Sequence, residues 1–276
     1  MVDDSIQNLF GWERTWESQG TVKMKRFYIE AINPQDGVCT ITGSEAWHIR
    51  RVMRMGPGDR FILMDRTGAR YEVTIESCHR KEVRVVLEKS IPLPPASPLD
   101  ITLCQALLKS RPMDYLIQKT SELGVNRMIP FISDRTVIRL DQQDFDRKSR
   151  HWREIARNAA KQSDRSAPAE IGRLFPFREL LSHLAGQEAF KVILWEGEKA
   201  RDLKGLLAEN GSANKVLGVV GPEGGFTPHE INLALDAGFS PASLGHRILR
   251  AETAAQTLVA VVQYEWGDLS LKVTSA

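Results

Sequence analysis

The 276-residue chain can bury a real core as one large domain or two smaller ones, and its 42% hydrophobic and 26% charged residues exclude a disordered or fibrous class. No apolar run is long enough for a transmembrane helix, and the first residues lack the basic-then-apolar layout of a secretory signal. The net charge of +2 hides an asymmetry: residues 24–165 carry 25 Lys/Arg against 18 Asp/Glu, whereas residues 166–276 carry 10 against 13, which suggests that a polyanion meets the first part.

Residues 1–23 are polar without clear periodicity and read as either a disordered extension or a misplaced start ahead of Met24. From residue 24 to 90, short β-branched and aromatic runs such as 60–65, 71–75 and 83–87 alternate with turn signals. They predict a small β-barrel or meander, with one helix near Ser44–Met55. Residues 91–98 contain four prolines and predict a semi-rigid linker. Residues 99–276 then alternate strands with helices. Strands are expected at 101–107, 127–132, 191–195, 215–220 and 242–244, and helices at 113–123, 145–164, 203–209, 228–237 and 251–266. Apolar strands separated by helices imply an α/β domain with a parallel sheet covered on both faces. Thr227-Pro228-His229-Glu230 reads as a helix start, with Thr as cap, Pro first and Glu third. Cys39, Cys78 and Cys104 are odd in number, far apart and without a C-x-x-C pair. They predict free thiols in a reducing cytoplasm and no structural zinc. The six histidines, His48, His79, His151, His183, His229 and His246, show no ligand spacing, so no metal is expected.

Two glycine-bearing segments follow strands near the C-terminus. Val216–Val220 enters Gly221-Pro222-Glu223-Gly224-Gly225-Phe226, and the later segment runs from Leu244 to Ala255. Such loops give backbone room to close around a small ligand. There is no G-x-G-x-x-G and no G-x-x-x-x-G-K-[ST], which disfavours a dehydrogenase or an NTPase. A lone Gly-Gly is most simply a turn. The whole hexapeptide, directly after an apolar strand and before a capped helix, weighs toward a loop whose N–H and C=O groups read a ligand.

A basic helix is the second clue. Seven Lys/Arg lie between Arg147 and Arg165, and Arg150, Arg153, Arg157 and Lys161 recur every three or four residues on one face. A solvated face is the simpler reading, but few acids compensate it, which favours phosphate contacts. Arg50, Arg51 and Arg54 offer a comparable surface on the first-domain helix.

The loop 221–226 and the segment 244–255 resemble those of the SPOUT methyltransferases, specifically the RsmE type. Supporting patterns are Lys25-Arg26-Phe27, His48 to Arg54 with Gly56-Pro57-Gly58-Asp59, Ala106 to Lys109, Gln118 to Val125 and Trp152 to Gln162. The resemblance implies an N-terminal PUA-like RNA-binding barrel and a C-terminal SPOUT domain with a deep trefoil knot in a homodimer. The implied activity is methylation of N3 of a uridine in small-subunit (16S) ribosomal RNA with S-adenosylmethionine. The cofactor residues would be Leu194, Trp195, Glu196, Gly197, Gly221, Pro222, Glu223, Gly224, Gly225, Leu244, Gly245, Ile248, Leu249 and Ala254. Glu252 is the candidate base for the N3 proton and Arg250 the candidate anion stabiliser. Arg247 reads as a surface residue. Arg26, Lys109 and Arg135 join the basic residues above as expected RNA contacts, Arg135 against the alternative of a structural salt bridge. A ribose 2′-O-methyltransferase of the same superfamily and a non-enzymatic ribosome-assembly factor are the competing readings. The first lacks its Asn-x-Gly…Arg element here, and the second is disfavoured by the intact Gly224-Gly225.

Overall fold

The computed structural model describes residues 24–65, 67–92 and 97–270. The expected extension 1–23 and the centre of the expected linker lie outside the described residues. The chain forms two compact units. Of the described residues, the smaller holds 24–27, 33–63 and 71–89, and the larger holds 28–32, 64–70 and those from Ser90 onward.

The smaller unit is built on a five-stranded sheet of β1 (Arg26–Tyr28), β2 (Val38–Thr42), β3 (Arg60–Met64), β4 (Arg70–Cys78) and β5 (Glu82–Ser90), in the order β1-β3-β4-β5-β2. Strand β2 runs antiparallel to β5, with Val38 opposite Val86 and Thr42 opposite Glu82. Alternate residues Val73 and Ile75, and Val83 and Val85, are fully buried, as a half-buried sheet requires. Ile41, Phe61 and Phe27 are buried as well, and the Phe27 ring meets Phe61 edge-on at 4.8 Å between centroids. The helix expected over 44–55 is instead a short α1 (Gly43–Trp47) that widens into a π-helical turn at His48–Val52. The wider turn closes through the N–H of Met53 donating to the carbonyl of His48 at 2.9 Å, while Ala46 and Ile49 stay buried.

The larger unit carries a parallel sheet of β6 (Asp100–Ala106), β7 (Arg127–Ile132), β8 (Glu170–Ile171), β9 (Phe175–Pro176), β10 (Phe190–Leu194), β11 (Lys215–Val220) and β12 (Ser240–Ala242). Its order is β12-β10-β11-β6-β7-β8, with β9 also pairing with β7. The helices are α2 (Ser110–Glu122), α3 (Gln142–Ser163), α4 (Phe177–Leu184), α5 (Leu203–Asn210), α6 (Pro228–Asp236) and α7 (Ala251–Glu265). Period-two alternation in β11 feeds two cores. Val216 and Val220 pack with α2, α3, α5 and α7, whereas Leu217 and Val219 pack with α4 and α6. Gly218 lets α7 come close, because a Cβ there would lie 2.6 Å from a methyl of Leu258.

Several boundaries moved for local reasons. Asp141 caps α3 by accepting from the N–H of Asp144, so that helix starts earlier than its apolar pattern suggests. The last strand ends at Ala242, two residues before its expected end, which leaves Leu244 in a loop. Helix α4 was not expected, although Phe177, Leu180, Leu181 and Leu184 form a buried stripe at helical spacing. Thr227 caps α6 as expected, with a full capping box to Glu230 and Pro at the first position.

Candidate functional site

The carboxyl ends of β10, β11 and β12 lie side by side, and the segments that leave them enclose one cavity of about 630 Å³. Leu194, Trp195 and Glu196 come from the end of β10, Gly221 to Phe226 from the loop after β11, and Ser243 to Arg250 from the segment after β12. The start of α7 closes it with Ala251, Glu252 and Ala254.

The loop after β11 is held from three directions. Underneath, the buried Phe226 ring packs against Gly221, whose hypothetical Cβ would lie 3.0 Å from it. From β6, the buried Gln105 donates its side-chain N–H to the carbonyl of Gly221 at 3.1 Å. From the loop after β7, Arg135 donates Nη1 to the carbonyl of Gly224 at 3.0 Å. That β7 loop is itself pinned, because the buried Glu230 carboxylate accepts from the N–H of Asp134 at 2.9 Å and from the N–H of Thr227 at 2.8 Å. At the turn, the N–H of Gly225 donates to the carbonyl of Pro222 at 3.0 Å, with Gly225 at φ +69°. A side chain there would be strained and would meet the Glu196 carboxylate at 2.3 Å. Glycine thus serves both backbone conformation and close approach.

The lining is mixed. Leu194, Val220, Leu244, Ile248 and Leu249 supply apolar surface, with Ile248 88% exposed. Glu196, Glu223 and Glu252 supply carboxylates, and Arg247 and Arg250 supply guanidinium groups. Among the described residues, no lysine lines the cavity. Such a wall suits a ligand with a neutral, partly apolar body and a cationic portion better than a polyphosphate. Arg250 occupies the cap position of α7 without a side-chain capping bond, and its carbonyl accepts from the N–H of Ala254 at 2.8 Å. Glu252 is half-buried in the first turn of that helix, where carboxylates are favoured by the dipole.

Of the expected cofactor residues, the structure brings all but Gly197 to this cavity, along with Arg250 and Glu252. Gly197 instead packs under Trp195, where a Cβ would lie 2.4 Å from the indole. Its glycine serves the turn after β10, not the cavity. Arg247, read as a surface residue, also lines the cavity. Val220, Ala242 and Ser243 adjoin the quoted motifs and were not singled out, while Phe226, His246 and Ala251 lie inside those motifs without having been assigned to the cofactor. Pro112 reaches the cavity from α2 and carried no local signal.

The basic residues separate by unit. In the larger one, Lys109 caps α2 and is exposed, as are Arg150 and Arg153 on α3. Arg157 is paired with Glu154 at 2.6 Å and Arg147 with Asp144 at 2.7 Å, so that helix is more compensated than its sequence suggested. Lys161 lies 5.8 Å from the centre of the Tyr28 ring. Arg165 donates to the carbonyls of Ser121 and Val125, and burial pushes its pKa below the ordinary arginine value, against the raising effect of Asp268. In the smaller unit Arg26 is half-buried in β1, Arg50 donates to the carbonyl of Arg80 at 2.8 Å, and Arg51 and Arg54 are exposed. No group of three or more His, Cys, Asp or Glu with metal-binding geometry occurs among the described residues. None of the described helices is long and apolar enough to cross a membrane.

The RNA methyltransferase domain family matches residues 95–263, and the RNA methyltransferase PUA domain family matches residues 41–88. The ribosomal RNA small subunit methyltransferase E of Bacillus subtilis is 30% identical over 248 residues, covering 88% of this chain and 97% of its own. The enzyme of the same name from Aquifex aeolicus is 32% identical over 218 residues, covering 77% of this chain and 88% of its own. A crystal structure of a ribosomal RNA small subunit methyltransferase E from Neisseria gonorrhoeae, bound to S-adenosyl methionine, matches with a TM-score of 0.79 at 29% identity, over 90% of this chain and 100% of that one. With a domain match spanning more than half of the sequence and relatives aligned along most of it, this chain belongs to the ribosomal RNA small subunit methyltransferase E family.

Proposed function

We propose that the protein transfers a methyl group from S-adenosylmethionine to N3 of a specific uridine in small-subunit (16S) ribosomal RNA. The observation that carries the reading is the convergence of the three segments after β10, β11 and β12 on one cavity of mixed lining. Its residues fit the cofactor. The backbone of Gly221 to Gly225 offers close hydrogen-bonding groups for an adenosine, Leu244, Ile248 and Leu249 offer apolar contact, and Glu196 and Glu223 offer charge for a cationic portion. When bound, S-adenosylmethionine supplies an electrophilic methyl carbon on a positively charged sulfur.

The chain's own residues do the rest. Uridine N3 is protonated at neutral pH, so it becomes a nucleophile only when that proton leaves. Glu252, half-buried at the cavity wall, accepts the proton. Arg250, two residues earlier, offsets the negative charge that spreads onto the uracil oxygens. Holding the base in line with the methyl supplies further rate by positioning alone. Arg150, Arg153, Arg157 and Lys161 on α3, with Lys109 and Arg135, contact phosphates of the RNA. Arg26, Arg50, Arg51 and Arg54 do so from residues 24–90, a PUA-like module. The SPOUT trefoil knot and a homodimer belong to the same reading, as does residence in the cytoplasm beside its ribosomal substrate.

The test is transfer of label from S-adenosylmethionine to small ribosomal subunits and to naked ribosomal RNA, read by nucleoside mass spectrometry. Appearance of 3-methyluridine supports the proposal. A 2′-O-methylated nucleoside would move the chemistry to the ribose. Cofactor binding without transfer to either substrate would reject small-subunit ribosomal RNA as the substrate and turn the search to other RNAs.

A further inference from the structure

Among the described residues of the smaller unit, Trp47 is the most exposed aromatic side chain, 62% accessible at the end of α1. An indole left in water at that position does nothing for the core. The same helix is anchored through its other side by Ala46 and Ile49, both buried, and by His48, whose ring meets Phe27 edge-on at 5.7 Å. Because the helix widens into a π-helical turn right after Trp47, Arg51 and Val52 come round to the side of the indole. Both are exposed, and Val52 is 50% accessible. Arg54 follows at φ +53°, a left-handed conformation that a long side chain rarely adopts. The bond from Arg50 Nη1 to the carbonyl of Arg80 ties the tip of the β4–β5 hairpin to this helix, and that tip adds the exposed Arg80 and Lys81.

An exposed indole on a helix that also carries exposed guanidinium groups, with the basic hairpin tip tied to that helix through Arg50, fits an unpaired base flanked by phosphates. A protein partner would be expected to meet a larger apolar patch with fewer charges. We propose that Trp47 is a stacking platform for an unpaired base of the RNA substrate, with Arg51, Arg54, Arg80 and Lys81 holding the neighbouring phosphates. The proposal rests on the RNA-methyltransferase reading and adds to it a residue outside the cofactor cavity.

The test uses the full chain and measures binding of a short labelled single-stranded RNA, of the same sequence as a duplex, and of small ribosomal subunits. Trp47→Ala and Trp47→Leu should weaken single-strand and subunit binding about 5-fold to 150-fold, the span of aromatic stacking on one base. Trp47→Phe and Trp47→Tyr should recover most of it, and duplex binding should barely change. Binding of S-adenosylmethionine and the unfolding midpoint should be those of the wild type, which separates lost stacking from damage to the fold. Replacing Arg51 and Arg54 with alanine should lower the salt slope of single-strand binding by about 1.4. Wild-type RNA and subunit binding by Trp47→Ala would overturn the platform alone. Equal recovery by leucine and phenylalanine would make the site a general apolar contact and overturn it too. A wild-type chain that binds neither RNA nor subunits would overturn the RNA reading and the platform with it.

Discussion

Gly225→Ala perturbs the cofactor loop at its most constrained point. Its backbone sits at φ +69°, where a Cβ costs about 1–2 kcal/mol. The added methyl would also fall 2.3 Å from the Glu196 carboxylate and 3.0 Å from its carboxyl carbon. Glu196 is exposed and can swing aside, so this second effect costs little stability but removes a charged group from the cavity wall. Urea unfolding should therefore show a loss of about 1–2 kcal/mol. If the turn instead relaxes by rotating a peptide, one backbone donor is lost to the ligand. That is worth about 0.5–1.5 kcal/mol, or about 2-fold to 12-fold in affinity for S-adenosylmethionine by titration calorimetry. Gly225→Asn should recover part of the stability, since asparagine tolerates the left-handed region better than alanine. Wild-type stability and affinity in Gly225→Ala would refute the reasoning, and so would an alanine variant more stable than the asparagine one.

Glu252→Gln should lower kcat about 100-fold to 10,000-fold, the usual worth of a general base, while leaving cofactor affinity within a few-fold in the same calorimetric titration. An unchanged kcat would remove Glu252 from the chemistry. Exchange of the exposed Arg150 and Arg153 for alanine should reduce the salt slope of RNA binding by about 1.4 to 1.8, read by anisotropy over a salt series, without altering cofactor binding. Among the thiols, burial pushes Cys104 far above the ordinary value and Cys39 above it to a lesser degree. A higher pKa leaves less thiolate at any given pH. A thiol reagent should thus label the half-buried Cys39 well before Cys104, which should react only after unfolding, as read by peptide mass spectrometry.

What the sequence determined by itself was local. The continuous apolar run Val216–Val220 specified a strand buried on both faces, and Thr227, Pro228 and Glu230 specified the start of α6, because strand patterning and capping depend on residues a few positions apart. The hexapeptide Gly221 to Phe226 and the segment 244–254 marked most of the cavity for the same reason. Tertiary structure decided everything that depends on strand order. Placing β10 between β12 and β11 set the three loops side by side, and packing of α2 against the same core brought in Pro112 from more than eighty residues away in sequence. It also separated glycines that look alike in the sequence. Gly225 leaves room beside Glu196 in the cavity, Gly197 only accommodates an indole, and Gly218 only accommodates Leu258 of α7. A missing Cβ is visible in the sequence, but what fills its place is set by neighbours from distant segments.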